Sequence, residues 1–260
     1  MTSDFKDHVA LITGSGRGIG RAIALHLARA GADVVVNFFR NRATAQGTAE
    51  EIRAMGRRAL VVRADMGQPR AIDSLFSETE TEFGALDILI CNAASGYNRP
   101  VMDQRVKGWD WTLNINARSV LLSAQRATPL MEKRGRGYIV TLSSPGSTRV
   151  LRDYAVVGAS KAAIEALTRY LAVELAPWNI VVNAVSPGLV RTEALQSFSA
   201  IRGEETARVL AASVARTPAG RMVTKEDVAN LVAFLCTPQA EMIRGQTIVM
   251  DGGASLPLGT

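Results

Sequence analysis

Seven short apolar runs rich in Val, Ile and Leu recur along the chain: Val9 to Ile12, Val34 to Val36, Leu60 to Val62, Leu86 to Ile90, Ile139 to Leu142, Ile180 to Val185 and Thr247 to Met250. They show no polar alternation, which predicts strands covered on both faces, and the intervals between them are too long for hairpins. Those intervals carry a three-to-four spacing instead, as in Ile19, Ile23, Leu27 and Ala30, or Ile72, Leu75, Phe76 and Thr79. That is the spacing of a helix with one apolar stripe. Strand alternating with helix specifies an α/β fold, doubly wound, in which a seven-stranded, mostly parallel sheet lies between two helical layers. No repeat, low-complexity tract or linker divides the sequence, so residues 1–260 are expected to form one domain. Periodicity weakens from Leu189 to Thr217. That segment is either a cap over a substrate pocket or an ordinary pair of surface helices.

Composition narrows the class. A chain of 260 residues with 47% hydrophobic and 21% charged residues is globular in character, which excludes a disordered or fibrous protein. Two cysteines, Cys91 and Cys236, supply neither a disulfide framework nor a CxxC metal spacing. No metal is expected, and a reducing, cytoplasmic setting is the simplest reading. The opening MTSDFKDHVALITG lacks a signal-peptide pattern, and no segment reaches the roughly 18 uninterrupted apolar residues that cross a bilayer. Thirty Lys+Arg against 24 Asp+Glu leave a formal charge of +6, which raises nucleic acid, a membrane surface or a small acidic partner. The basic residues are dispersed, without a helix-turn-helix, zinc-finger or RNP-type segment, so nucleic acid is not expected.

Candidate chemistry begins where the first apolar run meets Thr13-Gly14-Ser15-Gly16-Arg17-Gly18-Ile19-Gly20 and then a helical pattern. Strand, glycine loop and helix start in that order are the Rossmann-type arrangement for a dinucleotide. Gly14 permits the tight turn, Gly18 lets backbone approach a pyrophosphate, Gly20 lets the helix pack close, and the helix N-terminus supplies N–H groups and a positive dipole end. The second run is followed by Asn37-Phe38-Phe39-Arg40-Asn41-Arg42, and no acid occurs between Asp33 and Glu50 to hold a ribose 2′-hydroxyl. Arg17, Arg40 and Arg42 can instead grip a 2′-phosphate, because a guanidinium offers bidentate donors and a permanent charge. NADPH is therefore expected in preference to NADH.

With these motifs the chain resembles the short-chain dehydrogenase/reductases, and the resemblance runs along nearly its whole length. It implies adenine contacts from Asp65 and Met66, and support of the nicotinamide ribose by Cys91-Asn92-Ala93-Ala94. It also implies a structural and proton-relay role for Asn116, seven residues after Trp109, with Asn114 as the competing choice. Pro187-Gly188, Val190 and Thr192 resemble the loop that holds the nicotinamide carboxamide, and Arg244-Gly245-Gln246 with Asp251-Gly252-Gly253 resembles the C-terminal strand of the family. Homotetramers built on the lysine helix and that strand are usual among its members.

One departure is specific. Most members place the catalytic tyrosine four residues before the catalytic lysine, yet four before Lys161 stands Val157, and the tyrosine is Tyr154, seven before. Four and seven residues advance a helix by about 400° and about 700°, so either spacing keeps both side chains on one face. Seven separates them by about 4.5 Å more along the axis, provided the helix reaches back to Tyr154. In carbonyl reduction hydride and proton go to adjacent atoms. In reduction of an α,β-unsaturated thioester the hydride goes to the β-carbon while charge appears on the carbonyl oxygen, two carbons farther, so the oxyanion donor should stand farther from the nicotinamide.

A tyrosine, six residues and a lysine is the arrangement of the enoyl-acyl-carrier-protein reductases of bacterial fatty-acid synthesis. The chain is similar to their type III branch in Asn92-Ala93-Ala94-Ser95-Gly96, Trp109-Asp110-Trp111, Leu167 to Leu175 and Met242 to Thr247. The resemblance implies NADPH-dependent reduction of trans-2-enoyl thioesters on acyl carrier protein. Tyr154 would stabilise the enolate, Lys161 would bind ribose hydroxyls and lower the tyrosine pKa, and Ser144, or alternatively Ser143, would add a polar contact. Reduction of a 3-oxoacyl or other carbonyl is the alternative, disfavoured because Val157 cannot supply a proton, and a non-catalytic NADP-binding protein is more remote. Arg99, Arg105, Lys107, Arg149, Arg152, Arg191 and Arg202 fall in segments expected near the substrate mouth, where an acidic carrier would dock.

Overall fold

The apolar runs become the strands β1 (Val9–Ile12), β2 (Asp33–Phe38), β3 (Ala59–Arg63), β4 (Ile88–Cys91), β5 (Gly137–Leu142), β6 (Ile180–Pro187) and β7 (Thr247–Met250). Between them lie α1 (Gly18–Arg29), α2 (Arg42–Ala54), α3 (Pro69–Phe83), α4 (Val106–Leu113), α5 (Ser119–Glu132), α6 (Ala155–Glu174) and α7 (Lys225–Leu235). The structure is a computed structural model, and it describes residues 4–190, 211–212, 214–215 and 217–256. The seven strands form one sheet in the order β3-β2-β1-β4-β5-β6-β7, and every pairing is parallel.

Alternation of side chains along each strand divides the interior into two cores. Ala10 and Ile12 of β1 join Ile23 and Leu27 of α1, Ala49 and Ile52 of α2 and Val228 and Val232 of α7 on one face. Val9 and Leu11 join Ile72 and Leu75 of α3, Val120 and Leu130 of α5 and Ile164 and Leu171 of α6 on the other. Both faces are covered, and this is why the strands read as continuous apolar runs.

Strand limits differ from expectation where polar groups intervene. β4 starts at Ile88 instead of Leu86 because the Asp87 carboxylate accepts from Val9 N at 2.7 Å, which holds the chain at the entry to the sheet. β2 starts at Asp33, a buried acid whose charge is met by Arg57 at 3.0 Å and Arg58 at 2.7 Å. Tyr154 is the residue that caps α6 and is not inside it, with φ −108° and ψ 8°. The separation of about 4.5 Å expected for a continuous helix therefore does not apply as stated.

The order in which successive strands are added reverses between β1 and β4, and ligands of such sheets bind at the carboxyl ends of the strands beside that switch. Thr13 to Gly20, Asn92 to Gly96, Ser143 with Ser144, and Gly188 all leave their strands at that end.

Candidate active site

The glycine loop is held from three sides. Asn37, buried at the end of β2, accepts from Gly14 N at 3.0 Å through Oδ1 and donates from Nδ2 to Ala64 O at 3.2 Å. Ser15 N donates to Asn37 O at 2.9 Å, and Ser15 Oγ donates to Ile12 O at 2.8 Å. From β4, Asn92 Nδ2 donates to Thr13 O at 2.9 Å and to Gly14 O at 3.2 Å, while Thr13 Oγ1 accepts from the amides of Asn92 and Ala93 at 3.0 and 2.9 Å.

A side chain at Gly20 would meet Asn92 Nδ2 at 2.5 Å and Gly14 O at 2.6 Å, so the expected close packing of α1 is met. Gly18, with φ +59°, has nothing within 4 Å of where a side chain would stand. This open backbone beside the start of α1 fits a pyrophosphate. Arg17, Arg40 and Arg42 are exposed at the same end of the sheet. Asn41 caps α2 by accepting from Thr44 N at 3.2 Å, so Arg42 opens that helix. Asp65 is engaged in its own turn, accepting from Gly67 N at 2.9 Å, and Met66 is buried beside it.

The second constellation gathers at the ends of β4, β5 and α6. Asp153 adopts φ +60°, and its carbonyl accepts from Arg99 N at 2.7 Å. That turn delivers Tyr154, whose hydroxyl lies 3.3 Å from Ser144 Oγ. Ser144 Oγ also accepts from Gly146 N at 3.1 Å. Ser143 faces away, donating to the buried Glu165 at 2.6 Å, so of the two serines it is Ser144 that meets the phenol. Lys161 is buried, and its Nζ donates to Leu142 O at 2.7 Å. With no carboxylate to offset desolvation, its pKa falls to about 8.

Burial pushes the Tyr154 phenol above its ordinary value, and the Ser144 hydrogen bond only partly opposes this. The expectation that Lys161 lowers the phenol's pKa is corrected here. The ammonium gives one of its three donors to the Leu142 carbonyl, and burial governs Tyr154. Asn116 lies in a wide π-type turn, Asn114–Arg118, a feature frequent at functional sites. It accepts from Ser95 N at 2.8 Å and donates to Ser95 O and Ser160 Oγ at 2.9 Å each, bonds that Asn114 does not make. Val157 is buried with a methyl against the backbone of Gly96.

β6 ends at Pro187, and Gly188 N donates to Met250 O at 2.8 Å, while Val190 bridges to Val223. Thr192, Arg191, Arg202 and most of the segment 189–217 lie outside the described residues. Sequence reasoning missed Asn37, Glu165 and Ser160. Asn37 follows an apolar run in β2, and Ser160 and Glu165 both face the interior from α6; that burial is the one signal they carry.

A family model described as enoyl-(acyl carrier protein) reductase matches residues 14–255. The 1-cyclohexenylcarbonyl-CoA reductase of Streptomyces collinus is 41% identical over 256 residues, covering 98% of this chain and 89% of its own. The chain belongs to the short-chain dehydrogenase/reductases. As a member of this family it is an oxidoreductase. This short-chain dehydrogenase/reductase is also 34% identical over 244 residues to the 3-oxoacyl-(acyl-carrier-protein) reductase of Staphylococcus aureus (strain Mu50 / ATCC 700699), covering 94% and 96% of the two chains. A solved short-chain dehydrogenase from Burkholderia cenocepacia J2315, in complex with NADP, superimposes with TM-score 0.87 at 35% identity, covering 96% of this chain and 98% of that one. Among the described residues no helix is long and apolar enough to cross a membrane.

Proposed function

We propose that this oxidoreductase reduces the conjugated double bond of trans-2-enoyl thioesters with NADPH. The observation that carries the reading is the position of the acid. Val157, where the family resemblance would place the tyrosine, is buried beside Gly96, while the Tyr154 hydroxyl stands beside Ser144. The name of the Streptomyces collinus relative supports it, since 1-cyclohexenylcarbonyl-CoA is a conjugated unsaturated thioester.

NADPH, when bound, supplies the hydride that reaches the β-carbon. The glycine loop and the start of α1 would hold its pyrophosphate, Arg17, Arg40 and Arg42 its 2′-phosphate, and Lys161 its ribose hydroxyls. Asp65 and Met66 would flank adenine, and Pro187, Gly188, Val190 and Thr192 would meet the carboxamide. As the π pair moves onto the thioester oxygen, Tyr154 donates a hydrogen bond to that oxygen. The enolate pair then returns to the α-carbon, which takes a proton from solvent water, and Tyr154 keeps its own. Burial keeps the phenol protonated at neutral pH, which suits a donor. Ser144 offers a second contact, and Asn116 ties the Ser95 loop to α6.

Crotonyl and acetoacetyl thioesters assayed side by side test the reading. Crotonyl turnover should dominate, and Tyr154→Phe should lower its kcat by about 10²- to 10³-fold, the effect of one lost oxyanion donor. Faster acetoacetyl turnover would turn the assignment to carbonyl reduction, the activity that the Staphylococcus relative's name describes. Replacing Arg40 and Arg42 by Ala should raise KM for NADPH by about tenfold or more and leave KM for NADH nearly unchanged.

We further assign the substrate to an acyl carrier protein in the cytoplasm. Arg99, Arg105, Arg149 and Arg152 stand among the exposed apolar residues Tyr97, Val101, Met102 and Val150, a cationic rim that suits an acidic partner. Charge reversal at Arg105 and Arg152 should raise KM for the carrier-bound substrate alone, and an equal rise for coenzyme A thioesters would refute docking there. Exposed Tyr170 and Val173 on α6 and Val249 on β7 support a homotetramer, measurable by light scattering.

A further inference from the structure

The surface behind the Tyr154 ring is made of glycine. A Cβ on Gly146 would stand 2.5 Å from both Cδ1 and Cε1 of Tyr154, and a Cβ on Gly158 would stand 2.6 Å from the carbonyl oxygen of Gly146. The turn Pro145–Ser147 is thus pressed between the ring and the first turn of α6. Neither glycine has a left-handed φ, so space and not backbone conformation demands them. The same turn holds Ser144. Gly146 N donates to Ser144 Oγ at 3.1 Å, and Ser147 Oγ donates to Ser144 O at 2.8 Å. On the other side, Gly158 N donates to Tyr154 O at 2.7 Å, the first bond of the helix.

A side chain inside a helix leans on the turn that precedes it. Tyr154 caps α6 and has no preceding helical turn to lean on. The backbone of Gly146 occupies that place instead, and it can do so only while positions 146 and 158 carry no side chain.

We propose that Gly146, backed by Gly158, is the positioning element of the catalytic tyrosine: two missing side chains set the plane of the Tyr154 ring and hold its hydroxyl beside Ser144. The inference rests on the enoyl-thioester reading for its catalytic consequence, but the geometry it describes exists without substrate. A tyrosine carried outside the helix needs a flat neighbour, and in this chain Gly146 supplies it.

The test is a double-mutant cycle of Gly146→Ala and Tyr154→Phe, joined by ultraviolet titration of the phenol in the protein free of cofactor. Gly146→Ala should lower kcat for crotonyl thioester by about 10- to 100-fold, the scale of a displacement near 1 Å. KM for NADPH should not change. In the Tyr154→Phe background the same substitution should change kcat by less than about twofold, because the group it displaces is already gone. In the titration, the component absent from Tyr154→Phe should move down toward the ordinary phenol value in Gly146→Ala, as the ring loses burial. Gly158→Ala should reproduce both effects more weakly and serves if Gly146→Ala does not fold.

A phenol component that stays in place, or a kcat loss equal in both backgrounds, would overturn the inference. If no enoyl thioester is reduced but the titration moves, the proposed reaction fails and the positioning stands. If crotonyl thioester is reduced while the cycle is additive, the positioning fails and the reaction stands.

Discussion

Asp153 takes φ +60° one residue before the phenol, in the region that costs an ordinary L-residue about 1–2 kcal/mol. Aspartate tolerates it better than most, and a β-branched residue worst. Asp153→Gly should hold or raise the urea midpoint, whereas Asp153→Val should lose about 1–2 kcal/mol of stability and most crotonyl turnover. At this scale the glycine loop was legible, because each glycine answers a distinct geometric demand written as a fixed spacing. The choice between Ser143 and Ser144 was not. Adjacent residues leaving a strand point to opposite sides, and the partner that draws Ser143 inward is Glu165, on another element. Asn37 was not legible because an asparagine near the end of an apolar strand carries no motif, although it braces both the loop and the chain that leaves β3.

Among the elements, α7 opens on a capping box. Thr224 accepts from Asp227 N at 3.0 Å while Asp227 accepts from Thr224 N at 2.8 Å, the reciprocal box that a threonine followed three positions later by an acid announces. Thr224→Ala should cost about 1 kcal/mol, read as a shift in denaturant midpoint. The wide turn Asn114–Arg118 was invisible, since the apolar spacing runs through it unbroken into α5. Its consequence is local: it turns Asn116 onto Ser95 and Ser160. The condition that α6 reach back to Tyr154 is not met, because Asp153 takes a left-handed turn and the helix opens at Ala155.

For the molecule as a whole, the two cores meet the sheet so closely that Lys161 is buried with one carbonyl for company. Its pKa is about 8 in the folded chain against an ordinary 10.5, so between these values the unfolded chain binds more protons and stability rises with pH. Below pH 8 the full penalty of burying the charge is present, on the order of 3 kcal/mol. The buried thiols pull the other way: Cys91 is raised to about 12 and Cys236 is raised further, so above their ordinary 9.0 only the unfolded chain ionises. Urea midpoints of wild type and Lys161→Met, measured from pH 7 to 10, isolate the lysine. The gap should favour the variant at pH 7 and close as pH rises, whereas a constant gap would exclude the linkage. The parallel sheet and the two-sided burial behind this were legible from the apolar runs and the helical spacing between them, because a parallel sheet leaves no polar face to encode; the strand order was not, since no run names its neighbour.

The contact between Val157 and Gly96 also bears on descent. Moving the tyrosine back to its common place means inserting a ring where a methyl already touches backbone. One substitution at 157 therefore passes through a form with a displaced Ser95–Gly96 loop and a loosened Asn116. A lineage that exchanges the two spacings has to accommodate the new ring in the loop and the helix together.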